Sequence, residues 1–336
     1  MNFAYVTFLI KNDSYVPGAL VFAYSLKKQN TKMDLICFVS NDISKTAITS
    51  LKVIYDKVIF TDQIEVENKR KQQRQDVKLL FNRFNALLLE NEDVAGKAYD
   101  KIIIADCDVL AIKKWDSLFE VNAPAGIINE SKEHTMQYEQ GKYVIPDSYY
   151  QTTEWVWHDI YKNYPHGAKL PKTITDKVNK DNNNMGINAG LYLLKPSIKL
   201  YNSILSDLKD EHIKQKINNY NWPEMQYITQ KLSGKWHNID LKFASISGYP
   251  TLHHINGIHF VGLKPWSFKN KSLKTFARFD DFKLWYATYK NMLKDYPALA
   301  KNTKLNNLLN KINKLQQNKK YFFDKHDIEN IKHLVN

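Results

Sequence analysis

The chain has 336 residues, 43% of them hydrophobic, with 48 Lys and Arg against 35 Asp and Glu and a net charge of +13. That apolar share can build a full core, yet no stretch approaches the roughly 18 uninterrupted apolar residues of a spanning helix, so no membrane span is expected. A basic balance suits nucleic acid, an anionic membrane surface or phosphate-bearing substrates. The basic residues are dispersed, however, no nucleic-acid-binding motif is visible, and the Lys69-Arg70-Lys71 cluster with Arg74 reads as a solvated loop. No nucleic acid partner is expected.

In chain order, strands are expected near 3–10, 34–39, 57–60, 101–105 and 125–128, with helices near 17–29, 42–53 and 76–92. This alternation argues for βαβ units and a mostly parallel sheet. A further strand at 189–194 leads through Pro196 into a helix near 197–209. Another helix near 223–232 opens on Pro223, whose fixed φ suits a first turn. After 266 the pattern is helical, and 303–336 is polar, Asn/Lys-rich and weakly amphipathic, best read as packing helices. Cys37 and Cys107 each sit in or beside an expected buried strand, so a reduced chain without a disulfide framework is expected. The N-terminus enters a strand at Phe3 without a basic region, an apolar run or a cleavage site, so no signal peptide is expected. The expected location is the cytoplasm, or the host cytoplasm if the Lys, Asn and Ile enrichment reflects an AT-rich viral genome.

Two segments carry chemistry. Asp106-Cys107-Asp108 directly follows the apolar strand ending at Ala105, and the carboxyl ends of parallel strands are where open α/β sheets keep their ligands. Paired carboxylates suit Mn²⁺ or Mg²⁺, although alone the pair equally describes a solvated turn. The second segment, His259-Phe-Val-Gly-Leu-Lys-Pro-Trp266, combines a potential metal ligand, a Gly permitting close backbone approach and a Lys able to pair with phosphate. Alone it would be a strand end, a turn and a buried Trp.

Together and in this order, the two segments resemble glycosyltransferase family 8, the group containing glycogenin and bacterial lipopolysaccharide sugar transferases. The resemblance extends to Ala4-Tyr-Val-Thr-Phe8, Asn12-Asp-Ser-Tyr15, Pro17-Gly-Ala-Leu20 and Asn188-Ala-Gly190, covering roughly 3–128 and 186–290. The implied fold is α/β of GT-A type, a single Rossmann-like, mostly parallel sheet flanked by helices. It would occupy 1–266 with an insertion at about 130–185, followed by a helical C-terminal extension at 267–336.

By the same resemblance, Asp106, Asp108 and His259 would hold Mn²⁺, with Mg²⁺ as the alternative. Phe8, Asn12, Tyr15, Arg83, Cys107, Asn188, Gly190, Glu224, Gln226, Gly262 and Lys264 would join them around a UDP-sugar. Tyr15 would stack on uracil, while Lys264, Gly262 and Arg83 would attend the diphosphate. Gln226 would face the anomeric carbon, and with Asp106, Asp108 and Lys264 it makes up the catalytic set. The implied reaction is retaining transfer of a hexose from UDP-glucose or UDP-galactose to the hydroxyl of a glycan or protein. An amide is a poor nucleophile, so same-face displacement is favoured, with a phosphate oxygen taking the acceptor proton.

Departures concentrate on sugar recognition. Met225 stands where the family has Asp before the Gln, and Met185 stands where glycogenin-type members have another Asp. A Met cannot usefully accept hydrogen bonds from sugar hydroxyls. Glu224, Asn183 and Asn184 are the candidates to compensate. The insertion is rich in aromatics, among them Tyr138, Tyr143, Trp155, Trp157 and Tyr164, suited either to an acceptor or to a satellite core. The glycogenin likeness also implies a homodimer and self-glycosylation, with Tyr249 or a Tyr of the insertion as acceptor. A UDP-sugar-binding protein without transfer activity is the alternative reading, and a basic nucleic-acid-binding module a remote one.

Overall fold

A computed structural model of the chain describes residues 1–67, 77–128, 137–139, 142–144, 163–182, 184–246, 252, 255–271, 273–277 and 279–317. Tyr249, Asn183, the 69–74 basic cluster, half of the 130–185 insertion and the tail beyond 317 lie outside the described residues.

The first strands are short runs of β-branched and aromatic residues; all but the partly exposed edge strand at 57–60 are buried on both faces, the pattern of a sheet covered by helices on each side. They are β1 (Phe3–Leu9), β2 (Asp34–Val39), β3 (Lys57–Phe60), β4 (Lys101–Ala105), β5 (Val109–Ala111) and β6 (Ala125–Ile128). A hairpin of β7 (Gln137–Glu139) and β8 (Lys142–Val144) follows, then β9 (Ile187–Leu194), β10 (His237–Asn238), β11 (Ser245–Ile246) and β12 (Gly257–His259). The main sheet runs β10-β6-β9-β4-β1-β2-β3. It is parallel throughout except at β9, which pairs antiparallel with β4 and β6. Ile104 pairs with Val6 on one side and Tyr192 on the other, so its truncation to Ala costs about 2–5 kcal/mol.

A smaller sheet, β11-β12-β5, fixes the site. Its antiparallel pair sets His259 opposite Val109, the residue after Asp108, and the Phe260 N–H donates to the Asp108 carbonyl at 2.9 Å. Two motifs some 150 residues apart therefore share one register.

Helix α1 (Val16–Lys28) is buried from Gly18 to Leu26 and ends in Lys27 and Lys28, which favour a negative helix terminus. Helix α2 (Lys45–Ile54) is capped by Ser44, whose hydroxyl accepts the Ala47 N–H at 3.2 Å. The stretch Val77–Glu90, expected as an α-helix, instead forms successive 3-10 turns. Side chains there bind backbone three residues back: Asn82 Nδ2 donates to the Leu79 carbonyl and Arg83 Nε to that of Leu80. Such local bonds compete with helical pairing. The Glu211–Asn219 helix was not anticipated, although its N-cap Asp210, accepting the Ile213 N–H, was readable.

The C-terminal region is helical and packs on α1 and α2. From the Asp280–Asp295 helix, Tyr286 donates to the Pro265 carbonyl, Asp295 accepts from Tyr24, and Trp285 lies 5.4 Å from Trp266. The Thr303–Gln317 helix buries Leu305, Leu308, Ile312 and Leu315, a one-sided apolar stripe. Just before it, Asn302 Nδ2 donates to Ser50 Oγ of α2 at 3.0 Å. Among the described residues no helix is long and apolar enough to cross a membrane.

Candidate active site

Asp106, Cys107 and Asp108 bend off the end of β4 against β12. Asp108 Oδ1 lies 3.3 Å from His259 Nε2, and Asp106 Oδ2 lies 3.8 Å from the same nitrogen. Lys264 donates to Asp108 Oδ2 and to the carbonyls of Phe260 and Val261, so its three donors are engaged. Asp108, His259 and Lys264 are buried, whereas Asp106 is about a third exposed. Burial alone would raise the Asp108 carboxyl, but Lys264 and then His259 outweigh it and hold it far below the usual range.

Asp106, Asp108 and His259 each offer one ligand atom, all within 4.8 Å of one another. Asp108 Oδ1 is buried without a hydrogen bond, and two carboxylates with an imidazole suit a hard divalent ion. The three residues fit Mn²⁺ or Mg²⁺.

Two glycines make the convergence sterically feasible. A Cβ on Gly190 would meet His259 Cε1 and Nδ1 at 2.4 Å, so the imidazole lies directly on the β9 backbone. A Cβ on Gly18 would meet the Cys107 carbonyl and Trp266 at 2.4 Å, so α1 presses against the Asp-Cys-Asp bend. Any side chain at either position would push the motifs apart.

Arg83 is brought to the cluster. Its Nη1 donates to the Ala189 carbonyl at 2.6 Å, and Nη2 lies 3.3 Å from Asp106 Oδ1 and 3.7 Å from Glu224 Oε1. Asn188 Oδ1 accepts the Gly190 N–H at 2.7 Å, shaping the bend beside them. Cys107 donates to the Phe8 carbonyl, and burial pushes its thiol up to about 12, so it is not a thiolate at neutral pH. Phe8 itself is half-buried and stacks on Phe38. Asn12 caps the turn Asp13–Tyr15 through the Ser14 N–H, and Tyr15, 37% exposed, meets the edge of Trp266 at 5.7 Å. Gly262 has open space around it.

Gln226 is fully buried: Oε1 accepts the Trp222 N–H, and Nε2 donates to the carbonyls of Asn182 and Asn184. Met225 turns its sulfur to the Ala189 N–H at 3.1 Å, and Met185 packs against the core.

Sequence reasoning passed over Asp13. Its carboxylate accepts from the Ser44 N–H (3.0 Å), Ser44 Oγ (2.8 Å) and Lys304 Nζ (2.7 Å), joining the Asn12–Tyr15 turn to α2 and to the C-terminal helix. The one available signal was Ser44 as a helix cap; Lys304 is 291 residues away. Between this turn, the Lys264–Trp266 segment and the C-terminal helix lies a cavity of about 590 Å³, lined by Tyr15, Val16, Trp266, Leu308 and Lys311 among others.

The mostly parallel sheet with flanking helices and a helical C-terminal region is the GT-A architecture. A galactosyltransferase, LgtC, solved in complex with donor and acceptor sugar analogues, shares the fold: TM-score 0.52, 12% identity, covering 84% of this chain and 94% of that one. An uncharacterised protein of Acanthamoeba polyphaga mimivirus is 27% identical over 88% of this chain and 96% of its own length. A putative UDP-glucuronate:xylan alpha-glucuronosyltransferase 4 of Arabidopsis thaliana is 22% identical over 90% of this chain, which spans 45% of that protein. Glycogenin-1 of Caenorhabditis elegans is 30% identical over 122 residues, 35% of this chain and 27% of that protein. No family model matches the chain. The relatives named glycogenin and xylan alpha-glucuronosyltransferase, with the shared fold, support a glycogenin-like assignment to glycosyltransferase family 8.

Proposed function

We propose that the chain is a metal-dependent, retaining glycosyltransferase moving a hexose from a UDP-sugar to a hydroxyl acceptor. The observation that carries this reading is the convergence of Asp106, Asp108, His259 and Lys264 on one point beside the start of α1. UDP-glucose is the first-choice donor and UDP-galactose the second.

Asp106, Asp108 and His259 would hold Mn²⁺ or Mg²⁺, which when bound supplies Lewis-acid stabilisation of the departing diphosphate. Tyr15 offers its ring face to the base. Lys264 and the open backbone at Gly262 present positive charge and close approach to the phosphates, and Arg83 lies against the cluster at Asp106. Gln226, with both amide ends engaged by backbone, fixes the wall of the sugar site. That leaves same-face displacement, in which a phosphate oxygen accepts the proton of the incoming hydroxyl. The acceptor is a glycan or a protein, the chain itself included, with Tyr249 the named residue and a homodimer the implied assembly. Action in the cytoplasm, or a host's cytoplasm, completes the reading.

UDP with Mn²⁺ should raise the melting temperature, since a ligand at a hundredfold excess over Kd stabilises the native state by about 2.7 kcal/mol. UDP-glucose should then be turned over, and intact mass would reveal any hexose added to the protein. A shift with GDP or CMP but none with UDP would overturn the proposal. A UDP-sugar binder without transfer, the reading favoured by Met185 and Met225, would show the shift without turnover.

A further inference from the structure

The cavity of about 590 Å³ behind the nucleotide turn has the size of a small-molecule site, yet none of Asp106, Asp108 or His259 lines it. One wall is the 13–17 segment with Ala47 of α2, and the others come from 264–269 and the Thr303–Gln317 helix. Those last two walls lie in stretches, 262–279 and 296–317, that contain no Asp or Glu. The helix turns Lys304, Leu308 and Lys311 to the cavity, a spacing of four and then three residues that puts them on one face. Lys269, Lys304 and Lys311 are exposed and form the rim, whereas Val16, Ala47, Leu305 and Leu308 are buried and form the depth. We infer that this cavity is a second ligand site, which takes a single-chain anionic amphiphile, a fatty carboxylate, and whose occupancy weakens UDP binding. The effect on UDP, though not the site, rests on the UDP-sugar reading above.

The polar groups decide the class of ligand. The two buried polar side chains of the wall are committed elsewhere: Lys264 to Asp108 and two carbonyls, Asn302 to Ser50 and the Lys304 N–H. A nucleobase or sugar seated deep in the cavity would give up its bonds to water without return, whereas an alkyl chain gives up none. The rim asks for the opposite. Asp13 is the one acid among the lining residues, and Ser44 and Lys304 already hold it. Lys269 and Lys311 pair with no acid among the described residues. A carboxylate between them also reaches Lys304, the cation that helps Asp13 fix the Asn12–Tyr15 turn. Competition with Asp13 for that ammonium loosens the turn, and Tyr15 with it.

The test is calorimetric titration of the full chain, free of metal, with decanoate below its micelle concentration and with decanol and decylamine as neutral and cationic controls. One decanoate should bind per chain, with both controls about tenfold or more weaker. The double variant Lys269→Glu/Lys311→Glu, altered only at exposed positions, should lose decanoate affinity by about tenfold or more. With Mn²⁺ present, saturating decanoate should lower UDP affinity a few-fold, and UDP should lower decanoate affinity by the same factor. In Lys304→Ala that factor should approach one. No saturable decanoate binding, equal binding of decanol, or an affinity that the double variant leaves unchanged overturns the site. Complete mutual exclusion of decanoate and UDP overturns it too, since decanoate would then occupy the nucleotide site. Capture by phosphatidylserine vesicles without saturable decanoate binding would assign this face to a membrane surface, again overturning it. Decanoate binding that leaves UDP affinity unchanged overturns the effect on UDP. Failure of UDP itself to bind counts against the proposed function, and the metal-free titrations then decide the site alone.

Discussion

At one end of the site, Asp106, Asp108, His259 and Lys264 face one another as ionisable groups; at the other, Met225, Gln226 and Thr229 commit their polar atoms to backbone. Thr229 Oγ1 accepts the Ile187 N–H and donates to the Met225 carbonyl, Met225 accepts from Ala189, and Gln226 donates to the Asn182 and Asn184 carbonyls. The first end is organised to meet charge arriving from outside. The second buttresses β9, so that Arg83 and Glu224, the charges between the two ends, are held in place. A site of this kind separates where charge is handled from where shape is fixed, and substitutions at the two ends should fail differently.

The largest effect is expected at the charged end. Asp108→Ala leaves the Lys264 ammonium buried without its carboxylate, which costs about 3–5 kcal/mol, and removes a metal ligand. Denaturant unfolding should show the stability loss, and calorimetry the loss of metal-dependent UDP binding. The pH dependence has a definite sign. The Asp108 carboxyl is depressed in the folded state, so its contribution is complete above the unfolded value of about 3.9 and is lost as pH falls through the folded value. The stability difference between the unaltered protein and Asp108→Asn should therefore be full at pH 7 and shrink as the solution is acidified below pH ~4. A difference that grows on acidification would contradict the pairing.

Arg83→Lys should come next. The fork that reaches the Ala189 carbonyl, Asp106 and Glu224 becomes a single ammonium, with an expected loss of about 1.5–3 kcal/mol from charged hydrogen bonds. Since Arg83 touches both ends, metal-dependent UDP binding and donor preference should change together, unlike in Asp108→Ala.

The charged end was legible in the sequence and the backbone bonds of the buttressed end were not, for a physical reason. A divalent ion and a diphosphate demand carboxylate, imidazole and ammonium, so Asp106, Asp108, His259 and Lys264 form a readable pattern once the two segments are taken together, though neither segment suffices alone. Holding a strand's N–H asks only for some acceptor of suitable reach, and the thioether of Met225 or the hydroxyl of Thr229 serves without leaving a pattern. The sheet was legible for a similar reason: β1 to β4 and β6 are apolar runs of strand length, and their expected bounds match within a residue. The 3-10 character of Val77–Glu90 was hidden because its apolar spacing also suits an α-helix, and side-chain bonds from Asn82 and Arg83 decide between the two.

A smaller effect should distinguish buttress from sugar contact. Met225→Leu keeps the volume and removes the acceptor of the Ala189 N–H, at a cost of about 1 kcal/mol in denaturant unfolding. Donor preference should stay as it was, because the sulfur faces the strand. A changed ratio of UDP-glucose to UDP-galactose turnover would mean that Met225 meets the sugar after all.

The smallest effect is expected farthest out, at Lys304. Its ammonium is largely exposed, and an exposed ion pair contributes only about 0.2–1 kcal/mol, so Lys304→Ala should barely move the melting temperature. Asp13, its partner, nevertheless sits in the turn that presents Asn12 and Tyr15, and Ser44 ties the same carboxylate to the start of α2. Burial raises the Asp13 carboxyl, but Lys304 and the two Ser44 donors outweigh it and leave it below the usual range. The anchor is therefore ionised at neutral pH and weakens only as acid neutralises it. Losing Lys304 removes one of three bonds holding the turn, so UDP affinity should fall a few-fold at low ionic strength. That loss should fade in 1 M salt, where the screening length is about 3 Å. Asp13→Ala removes all three bonds and should weaken UDP binding further, with a residual deficit that salt does not erase. Equal UDP affinity in all three proteins at low salt would show that the C-terminal helix packs on the nucleotide turn without helping to set it.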